Sequence, residues 1–326
     1  MQSEHNGELC LITGAAGFVG SHLAQRLLEM GFSVIGVDNF FSGRAANMIS
    51  FRDHPEFTFR RADIREPDLL KRLKASHPGV CRCFHLAAVV SVPYSVAHPE
   101  LTMEINHRAS LRLMEEADRL EFKSFIFAGS AAEYGDDQRI PLHEDYASEA
   151  TRHLSPYGLS KFLTSRAIAN FPRGVSLRFF NIYGPRQDPA SPYSGVISRF
   201  IDMAGKGSPL TIFGDGFQTR DFIYVSDVVD AYIAAAGLGN EGRKQKAIQG
   251  VFNVGTGGST TVRELATTII EVCGSRSAID CLPERPGDIR HSLAAVGKFQ
   301  EAAGWSAKVS LQEGLIETIR EMRDCF

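Results

Sequence analysis

The segment LITGAAGFVGSHL restricts the fold of this chain more than any other, because Gly14, Gly17 and Gly20 stand between an apolar run and a helical pattern. Glycine is needed where the backbone turns tightly and lets a pyrophosphate approach the N-terminus of a helix. A turn with only a structural purpose does not need three glycines at the spacing GxxGxxG. The segment therefore predicts a strand, a phosphate-binding turn and a helix.

Strand-like and helix-like patterns alternate through the first half of the chain. Strands are predicted in ELCLITG, FSVIGVDN, FTFRRAD, VCRCFHLAA and KSFIFAGSAAEYG, and helices in SHLAQRLLEMG, INHRASLRLMEEADRL and SKFLTSRAIANF. Strands separated by helices form a parallel sheet with right-handed crossovers. The predicted fold is therefore α/β, a Rossmann-type doubly wound parallel sheet with a smaller C-terminal α/β substrate-binding domain.

An acidic residue at the end of the second predicted strand indicates which dinucleotide binds. Asp38 follows Gly14 by 24 residues. A carboxylate at this point accepts hydrogen bonds from the ribose hydroxyls of NAD and repels the 2′-phosphate of NADP, so the sequence predicts NAD. Asp63 follows the third strand, where it either caps its own loop or reaches the adenine amino group.

The pattern changes after about Val175, where a strand leads into the Gly/Pro-rich segment NIYGPRQDP. Further helices are predicted in YSGVISRFIDMAGKG, VRELATTIIEVCG and SLQEGLIETIREMRD, and further strands in LTIFGDG and GVFNVGTG. We predict an NAD-binding Rossmann domain at residues 1–176, rejoined by about 221–250, and a domain at residues 177–326 that mainly binds the substrate.

Composition and charge argue against several classes of partner. The net charge is −3 without a long basic run, which argues against nucleic acid. No apolar run reaches the roughly 18 residues that span a bilayer, and no signal peptide is visible, so a cytoplasmic protein without a membrane partner is expected. The cysteines and the histidines His85, His107 and His291 lack metal-ligand spacing, so no metal site is predicted.

Tyr157 and Lys161, in LSPYGLSK, are four residues apart, so one helical turn would place both side chains on the same face. The pattern YxxxK alone is common by chance and then usually reflects a structural tyrosine beside a solvated lysine. Here it gains weight from its surroundings, because TGAAGFVG, VDNFFSG, FHLAA, FAGSAAEYG and PYGLSK occur in this order.

With these motifs in register, the chain resembles the extended short-chain dehydrogenase/reductase superfamily over almost its whole length. Its segments RFFNIYGPRQDP, GDGFQTRDFIYVSDVVDA, FNVGTG and ERPGDIRHSLA look most like those of NAD-dependent nucleotide-sugar epimerases of the UDP-glucose 4-epimerase type. The resemblance implies NAD as cofactor, a UDP-sugar as substrate and a homodimer formed through helices matching NHRASLRLMEEADRL and SKFLTSRAIANF. The implied reaction is 4-epimerisation of a UDP-hexose through a transient 4-keto intermediate.

The resemblance also implies a catalytic unit of Ser130, Tyr157 and Lys161. A free phenol has a pKa of about 10, too high for a base at neutral pH. The Lys161 ammonium and the positive nicotinamide are therefore expected to lower the pKa of Tyr157. Lys161 would also bind the nicotinamide ribose, and Ser130 would hydrogen-bond the reacting sugar oxygen and share its proton.

The other cofactor contacts implied by the resemblance follow the ends of the predicted strands. They are Gly14, Gly17, Phe18, Val19 and Gly20 at the pyrophosphate, Asp38, Asn39, Phe40, Ser42 and Gly43 at the adenosine ribose, Asp63 and Ile64 at the adenine, Leu86, Ala87, Ala88 and Val90 after the fourth strand, Asn106 on its helix, and Phe180 near the nicotinamide.

The implied contacts to the sugar nucleotide lie mostly in the second half of the chain. They are Asn181, Arg220 and Arg285 at the diphosphate, Phe213 at the uracil, Asp288 at the uridine ribose, Ser292 beside the rotating sugar and Arg186 toward its carbon 6. Guanidinium forks suit a diphosphate. The small Ser292 leaves room for an N-acetyl group at carbon 2, which predicts activity on UDP-N-acetylglucosamine as well as UDP-glucose. If Arg186 reaches carbon 6, it would pair with a carboxylate and favour UDP-glucuronate.

Rival reactions on the same scaffold are disfavoured by two alanines. In the 4,6-dehydratases an Asp–Glu pair stands where this chain has Ala131 and Ala132, and in the decarboxylases a glutamate stands at the second position. Glu133 comes one residue later, and on an extended segment its side chain would point to the other face, so the pattern gives it no role. A non-catalytic NAD-binding sensor remains a further alternative, although such proteins typically lack the tyrosine or the lysine.

Overall fold

The computed structural model describes residues 8–187, 195–238, 248–284 and 289–323. Two residues of the implied substrate site, Arg285 and Asp288, lie outside these ranges. The strands are β1 Leu9–Thr13, β2 Ser33–Asp38, β3 Phe57–Arg61, β4 Val80–His85, β5 Ser124–Ser130, β6 Gly174–Phe179, β7 Asn181–Tyr183, β8 Leu210–Phe213, β9 Thr219–Arg220, β10 Phe222–Tyr224, β11 Gly250–Val254, β12 Thr260–Thr261 and β13 Ile279–Leu282.

The helices alternate with these strands. They are α1 Phe18–Glu29, α2 Leu69–Ser76, α3 Val92–Ala97, α4 Pro99–Met103, α5 Ser110–Arg119, α6 Pro156–Ala169, α7 Val196–Gly205, α8 Val225–Ala235, α9 Val262–Cys273, α10 Gly297–Ala303 and α11 Leu311–Arg323. A π-helical segment, Glu104–Ala109, joins α4 to α5. Within the described ranges, none of the helices is long and apolar enough to cross a bilayer.

Seven parallel strands form the central sheet, in the order β11–β6–β5–β4–β1–β2–β3. Helices cover both of its faces: Ile12 of β1 packs with Leu23 of α1 and Val228 of α8, whereas its neighbour Leu11 packs with Leu70 of α2 and Leu113 of α5. Adjacent side chains of a strand point to opposite faces, so buried strands need apolar residues on both sides. The predicted doubly wound parallel α/β fold is confirmed.

The C-terminal half builds a smaller α/β unit with its own core. Helices α7, α9 and α11 pack Ile201, Leu265 and Leu315 against β8, which pairs in parallel with β13. Strand β11 returns to the edge of the large sheet beside β6. The division at residues 176 and 177 stays a prediction, and the structure runs β6 across that position.

One segment is not extended as expected. The strand predicted through KSFIFAGSAAEYG ends at Ser130, and Ala131–Tyr134 form a 3₁₀ turn. The Ser130 side chain accepts a hydrogen bond from the backbone N–H of Ala132, and the Glu133 side chain accepts one from the backbone N–H of Ser130. This capping box turns the chain, because it satisfies N–H groups that a sheet neighbour would otherwise take. The prediction that Glu133 lies on an extended segment was therefore wrong.

The parallel sheet decides where a ligand can bind. Asp38 and Ser130 end β2 and β5, while Gly14, Leu86 and Phe180 directly follow β1, β4 and β6. Because the strands are parallel, all five residues come to one edge of the sheet. Strand β1 stands between β4 and β2, so the strand order reverses there, and such a switch point is where open α/β sheets form their ligand crevice.

Candidate active site

A cavity of about 780 Å³ opens along this edge of the sheet. Its volume is typical of pockets for small molecules and cofactors. It brings together most of the residues predicted from sequence: Gly14, Gly17, Phe18, Val19, Gly20, Asp38, Asn39, Ser42, Asp63, Ile64, Leu86, Ala87, Ala88, Val90, Ser130, Tyr157, Lys161, Phe180 and Arg186.

The glycine turn is packed too closely for any side chain. Gly14 has φ +77°, and a Cβ atom there would lie 2.9 Å from the backbone nitrogen of Ala87. A Cβ on Gly20 would lie 2.1 Å from the carbonyl oxygen of Gly14. Helix α1 starts after Gly17, and no side chain caps its N-terminus at the cavity wall. Its first N–H groups and its positive dipole end can therefore bind an anion such as a pyrophosphate.

Asp38 is held firmly at the end of β2. Its carboxylate accepts hydrogen bonds from the backbone nitrogens of Ala16, at 3.0 Å, and of Phe40, at 2.7 Å. Burial raises the pKa of Asp38, and these two hydrogen bonds oppose that rise. A Cβ on Gly43 would come within 2.8 Å of the same carboxylate. The turn therefore keeps one side of the carboxylate clear and orients it by backbone contacts.

Asp63 does cap its loop, which was one of its two predicted roles. The guanidinium of Arg65 binds both carboxylate oxygens at 2.9 Å, and the amide of Asn39 donates to one of them at 2.8 Å. The hydrogen bond from Arg65 lowers the pKa of Asp63 to about 2. Because Asp63 also lines the cavity, its position agrees with a contact to the adenine as well, and that role stays a prediction.

Three residues expected at the cofactor lie off the cavity wall: Phe40, Gly43 and Asn106. The Phe40 ring packs against Phe59, with centroids 5.3 Å apart. The Asn106 amide accepts a hydrogen bond from the backbone nitrogen of Val89 and donates to its carbonyl, at 2.7 and 2.8 Å. Asn106 therefore holds the loop after β4, and its effect on a bound cofactor would be indirect.

Tyr157 and Lys161 occupy one face of α6, as predicted. Ser155 caps this helix by accepting a hydrogen bond from the backbone nitrogen of Gly158, and Pro156 supplies the first helical φ angle. The Lys161 ammonium donates to the carbonyl of Ala128 at 2.8 Å and lies 5.9 Å from the centroid of the Tyr157 ring. The side chain of Ser130 interacts with the Tyr157 phenol and lowers its pKa. The structure thus brings the three predicted catalytic residues together.

The expected lowering of the Tyr157 pKa by Lys161 does not appear in the protein alone. Burial raises the pKa of Tyr157 to about 12, and the hydrogen bond with Ser130 opposes this rise. Burial also lowers the pKa of Lys161 to about 8, because an ammonium loses solvation in this site. In the protein alone, the charge of Lys161 therefore does not offset the cost of desolvating the Tyr157 phenolate.

Glu133, for which sequence reasoning found no role, connects three structural elements beneath Ser130. Its fully buried carboxylate accepts hydrogen bonds from the Ser130 backbone at 2.9 Å and from Ser165 of α6 at 2.8 Å. Its other oxygen pairs with Arg178 of β6 at 2.5 Å. Ser165 lies one turn beyond Lys161, so the carboxylate fixes the end of β5 against the catalytic helix.

The partner of Glu133 is equally well bound. Arg178 is 3% exposed and also donates to the carbonyl of Glu144 at 2.7 Å and to the hydroxyl of Tyr134 at 3.3 Å. A buried ion pair repays its desolvation only when its remaining hydrogen bonds are satisfied, and these are. A Cβ at Gly129 would lie 2.8 Å from the Glu133 carboxylate, so the glycine before Ser130 makes room for the pair.

Backbone hydrogen bonds connect three of the predicted substrate residues. Asn181 and Ser292 each bond to a neighbour of Arg220 in the chain. The backbone nitrogen of Asn181 donates to the carbonyl of Asp221 at 2.9 Å, and that of Ser292 donates to the carbonyl of Thr219 at 3.2 Å. Arg220 lies between these two acceptors in the chain. Phe213 ends β8, which pairs with β13. The structure thus brings two distant segments, those of Asn181 and Ser292, next to Arg220.

Two further residues escaped the sequence analysis. Asp221 is fully buried and accepts hydrogen bonds from Thr256, Gly257 and Ala294, which ties the loop after β11 to the Arg220 strand. Tyr232 of α8 also lines the cavity. Asp221 directly follows Arg220 in QTRDF, and no sequence pattern marks it as a second polar site. Tyr232 has the sequence surroundings of an ordinary core residue.

The histidine at the end of β4 has a structural partner on each side. His85 Nδ1 lies 2.7 Å from the hydroxyl of Thr13, and its Nε2 lies 2.8 Å from the hydroxyl of Ser110. Burial lowers the pKa of His85 to about 3, so it is neutral. In the part of the chain that the structure describes, no group of three or more His, Cys, Asp or Glu residues could hold a metal ion.

The model of the NAD dependent epimerase/dehydratase family matches residues 10–255, which include the glycine turn, Asp38 and the three predicted catalytic residues. The chain belongs to this family. It is 36% identical to a UDP-glucose 4-epimerase of Mycolicibacterium smegmatis, with 96% of this chain and 98% of the relative covered.

Solved structures of family members superimpose closely. A UDP-N-acetylglucosamine 4-epimerase from Methanobrevibacter ruminantium, in complex with UDP-N-acetylmuramic acid, matches with a TM-score of 0.88 and 36% identity over 98% of this chain and 99% of that one. A UDP-glucuronic acid 4-epimerase from Bacillus cereus, in complex with UDP-glucuronic acid and NAD, matches with a TM-score of 0.84 and 30% identity over 98% of this chain and 100% of that one. Family members that match this chain thus act on different sugars.

Proposed function

We propose that this protein is an NAD-dependent 4-epimerase of a UDP-hexose. The observation that carries the proposal is the convergence of Ser130, Tyr157 and Lys161 at one end of the dinucleotide cavity, followed by Ala131 and Ala132. The absence of acidic side chains at those two alanines disfavours dehydration and decarboxylation. The direct test is incubation with UDP-glucose and with UDP-N-acetylglucosamine. A 4-epimer is expected to form without net accumulation of NADH, and net oxidation or loss of water would contradict the proposal.

In the proposed mechanism, Tyr157 and Ser130 handle the proton of the hydroxyl at sugar carbon 4. The chemistry that bound NAD would supply is acceptance of the hydride from sugar carbon 4 and its return to the opposite face of the 4-keto sugar. Tyr157 would take the hydroxyl proton as a phenolate, and the Ser130 side chain favours that form. The positive charges of Lys161 and of oxidised nicotinamide would have to lower the Tyr157 pKa further, because burial alone raises it to about 12. Lys161, fixed by the carbonyl of Ala128, is placed to bind the nicotinamide ribose and to contribute positive charge. Asn181 and Arg220 hold the diphosphate while the sugar turns.

The chain fits NAD at three points of the cavity. The uncapped start of α1 suits the pyrophosphate, and the oriented carboxylate of Asp38 suits the adenosine ribose. Tyr232 lines the cavity, and its buried hydroxyl has no partner among the described residues, so it is a candidate to bind a group in the cavity. These three features support the residue assignments proposed for the cofactor.

Protein denatured after purification is expected to release NAD or NADH and no NADP. The physical reason is that a 2′-phosphate would meet the buried carboxylate of Asp38, which backbone hydrogen bonds hold in place. The released dinucleotide is identified by chromatography. Asp38→Asn is the matched variant, because it keeps the size of the side chain and removes its charge. This variant should show a smaller preference for NAD over NADP. Recovery of NADP from the wild type would refute the assignment of Asp38.

Turnover of UDP-N-acetylglucosamine as well as UDP-glucose is expected, because Ser292 is small. Ser292 is 7% exposed and lies beside Arg220 along the backbone. Ser292→Tyr should retain turnover of UDP-glucose and lose that of the acetylated sugar, since the ring must rotate past the larger side chain. Parallel rate measurements on both substrates test this. A wild type that rejects the acetylated sugar would disprove the role given to Ser292.

UDP-glucuronate 4-epimerisation is the second candidate, and it depends on Arg186. This residue lines the main cavity, but its guanidinium is hydrogen-bonded to Gln25 of α1 and lies near Glu29 and Glu321. Its Nη1 nitrogen is buried without a partner among the described residues, so a carboxylate bound in the cavity would satisfy it. Adding UDP-glucuronate to the same assays decides between this substrate and a neutral hexose.

We further propose that the protein is a cytoplasmic homodimer. Helix α3 packs on α6, and together they expose Val92, Val96 and Leu159, which are 42%, 61% and 37% exposed. The outer face of α5 carries ion-paired charges instead, such as Arg112 with Glu104. The α3–α6 surface therefore supports the dimer contact better than α5 does, and sedimentation measurements test the association state.

A further inference from the structure

Tyr232 is a buried aromatic residue of α8 whose ring and hydroxyl have different surroundings. The residue is 0% exposed. Its ring packs against Phe179 of β6, with centroids 5.1 Å apart, and against Phe84 of β4, with centroids 6.1 Å apart. A phenylalanine would fill this apolar space equally well. Packing therefore explains the ring and leaves the hydroxyl unexplained.

The Tyr232 hydroxyl has no hydrogen-bond partner within the described parts of the chain, although it is fully buried. Another buried tyrosine behaves differently: the hydroxyl of Tyr183, which is 2% exposed, donates to the carbonyl of Leu311 at 3.2 Å. A buried donor without an acceptor is costly, and native proteins seldom retain one. Tyr232 lines the large cavity, so an acceptor within that cavity would remove the cost.

The strands against which Tyr232 packs indicate the end of the cavity that it lines. It packs on β4 and β6, which lie on the catalytic side of the sheet, whereas Asp38 ends β2 on the other side of β1. Strands lie about 4.8 Å apart, so β6 and β2 are roughly 19 Å from each other. Burial raises the pKa of Tyr232 well above its ordinary value, with a further contribution from Tyr157, so the hydroxyl stays protonated and acts as a donor.

We propose that the Tyr232 hydroxyl donates a hydrogen bond to the nicotinamide carboxamide of the bound dinucleotide. The carboxamide oxygen is the acceptor that the nicotinamide ring itself offers at the catalytic end. The proposal rests on the NAD site of the proposed function and is independent of which sugar the enzyme converts. Tyr232 is thus a cofactor ligand on α8, a helix that lies outside the glycine turn and the catalytic helix α6.

Tyr232→Phe is the sharpest test, because it removes only the hydroxyl. In protein freed of bound nucleotide, the melting temperature should stay the same or rise, since a buried donor without an acceptor disappears. The dissociation constant for NAD, measured by calorimetry, should increase about tenfold, as expected for the loss of one buried hydrogen bond. The dissociation constant for ADP-ribose, which lacks the nicotinamide, should change less than about twofold.

Tyr183→Phe is the matched control, because it removes a buried tyrosine hydroxyl that has an acceptor in the protein and lies outside the cavity. It should lower the melting temperature and leave NAD affinity unchanged. Three results would overturn the proposal: unchanged NAD affinity in Tyr232→Phe, an equal loss of affinity for NAD and ADP-ribose, or a fall in melting temperature like that of the control. Since all readouts are binding and melting, a failed epimerase assay would refute the proposed reaction separately.

Discussion

Tyr157→Phe is expected to lose at least about a hundredfold in turnover while it retains bound NAD and affinity for the UDP-sugar. The substitution keeps the ring on α6 and removes the group that accepts the hydroxyl proton. Tyr157 lies on the cavity wall with Ser130, whose side chain lowers the pKa of the phenol. Rates of 4-epimer formation, together with the NAD content of the purified variant and calorimetric binding of UDP, separate the loss of chemistry from the loss of binding.

Tyr146→Phe provides the matched control for this experiment. Tyr146 lies outside the cavity, where the Arg139 guanidinium stacks on its ring at 3.8 Å. The turnover of the Tyr146→Phe variant should equal that of the wild type. If Tyr157→Phe also kept wild-type turnover, Tyr157 would not be the base, and the proposed mechanism would have to be abandoned.

Gly20→Ala is expected to cost about 3 kcal/mol or more of folding stability and to abolish retention of NAD. The added Cβ would lie 2.1 Å from the Gly14 carbonyl oxygen and 3.1 Å from the Cα of Ala15. Both contacts are backbone atoms, so no side chain can move aside to relieve them. Helix α1 must then separate from the turn that forms the pyrophosphate site. Thermal melting and the amount of NAD released on denaturation measure the two effects.

Gly205→Ala makes the same chemical change where there is space. Gly205 ends α7, and a Cβ there meets nothing within 4 Å. This variant should keep its NAD and gain up to about 1 kcal/mol, because alanine loses less backbone entropy in a helix than glycine does. A Gly20→Ala protein that melts like Gly205→Ala and retains its NAD would refute the close packing of α1 on the turn.

Local patterns predicted the parallel α/β architecture well, and most of the elements that they missed were short. The parallel sheet and helices such as α1, α6 and α9 follow from apolar periodicity, glycine stops and N-caps, all of which act within a few residues. Helices α2, Leu69–Ser76, α3, Val92–Ala97, and α8, Val225–Ala235, were missed. Helices α2 and α3 have only about two turns or fewer, so their apolar patterns are too short to distinguish from loops. Helix α8 is longer, but most of its residues are buried, so it lacks a clear polar face.

Ser130 and Glu133 show a different kind of limit. In the sequence Glu133 follows Ser130 by three residues, and the pattern suggests an extended segment on which the glutamate side chain points away. In the structure the chain turns, and the glutamate reaches back under the serine to Ser165 and Arg178. Its partners lie 32 and 45 residues further along the chain, so no local pattern could have identified them.

The sequence by itself determined the parallel α/β fold, the phosphate-binding turn at Gly14–Gly20 and the tyrosine–lysine pair on one helical face. These features depend on backbone geometry and on side-chain spacing within single elements. Only the tertiary structure decided that the Tyr157 pKa rises to about 12, that Glu133 and Arg178 form a buried pair, and that Tyr232 lines the cavity while its buried hydroxyl has no partner among the described residues. Desolvation and hydrogen bonding between distant segments cause these properties, and both depend on which elements the fold packs together.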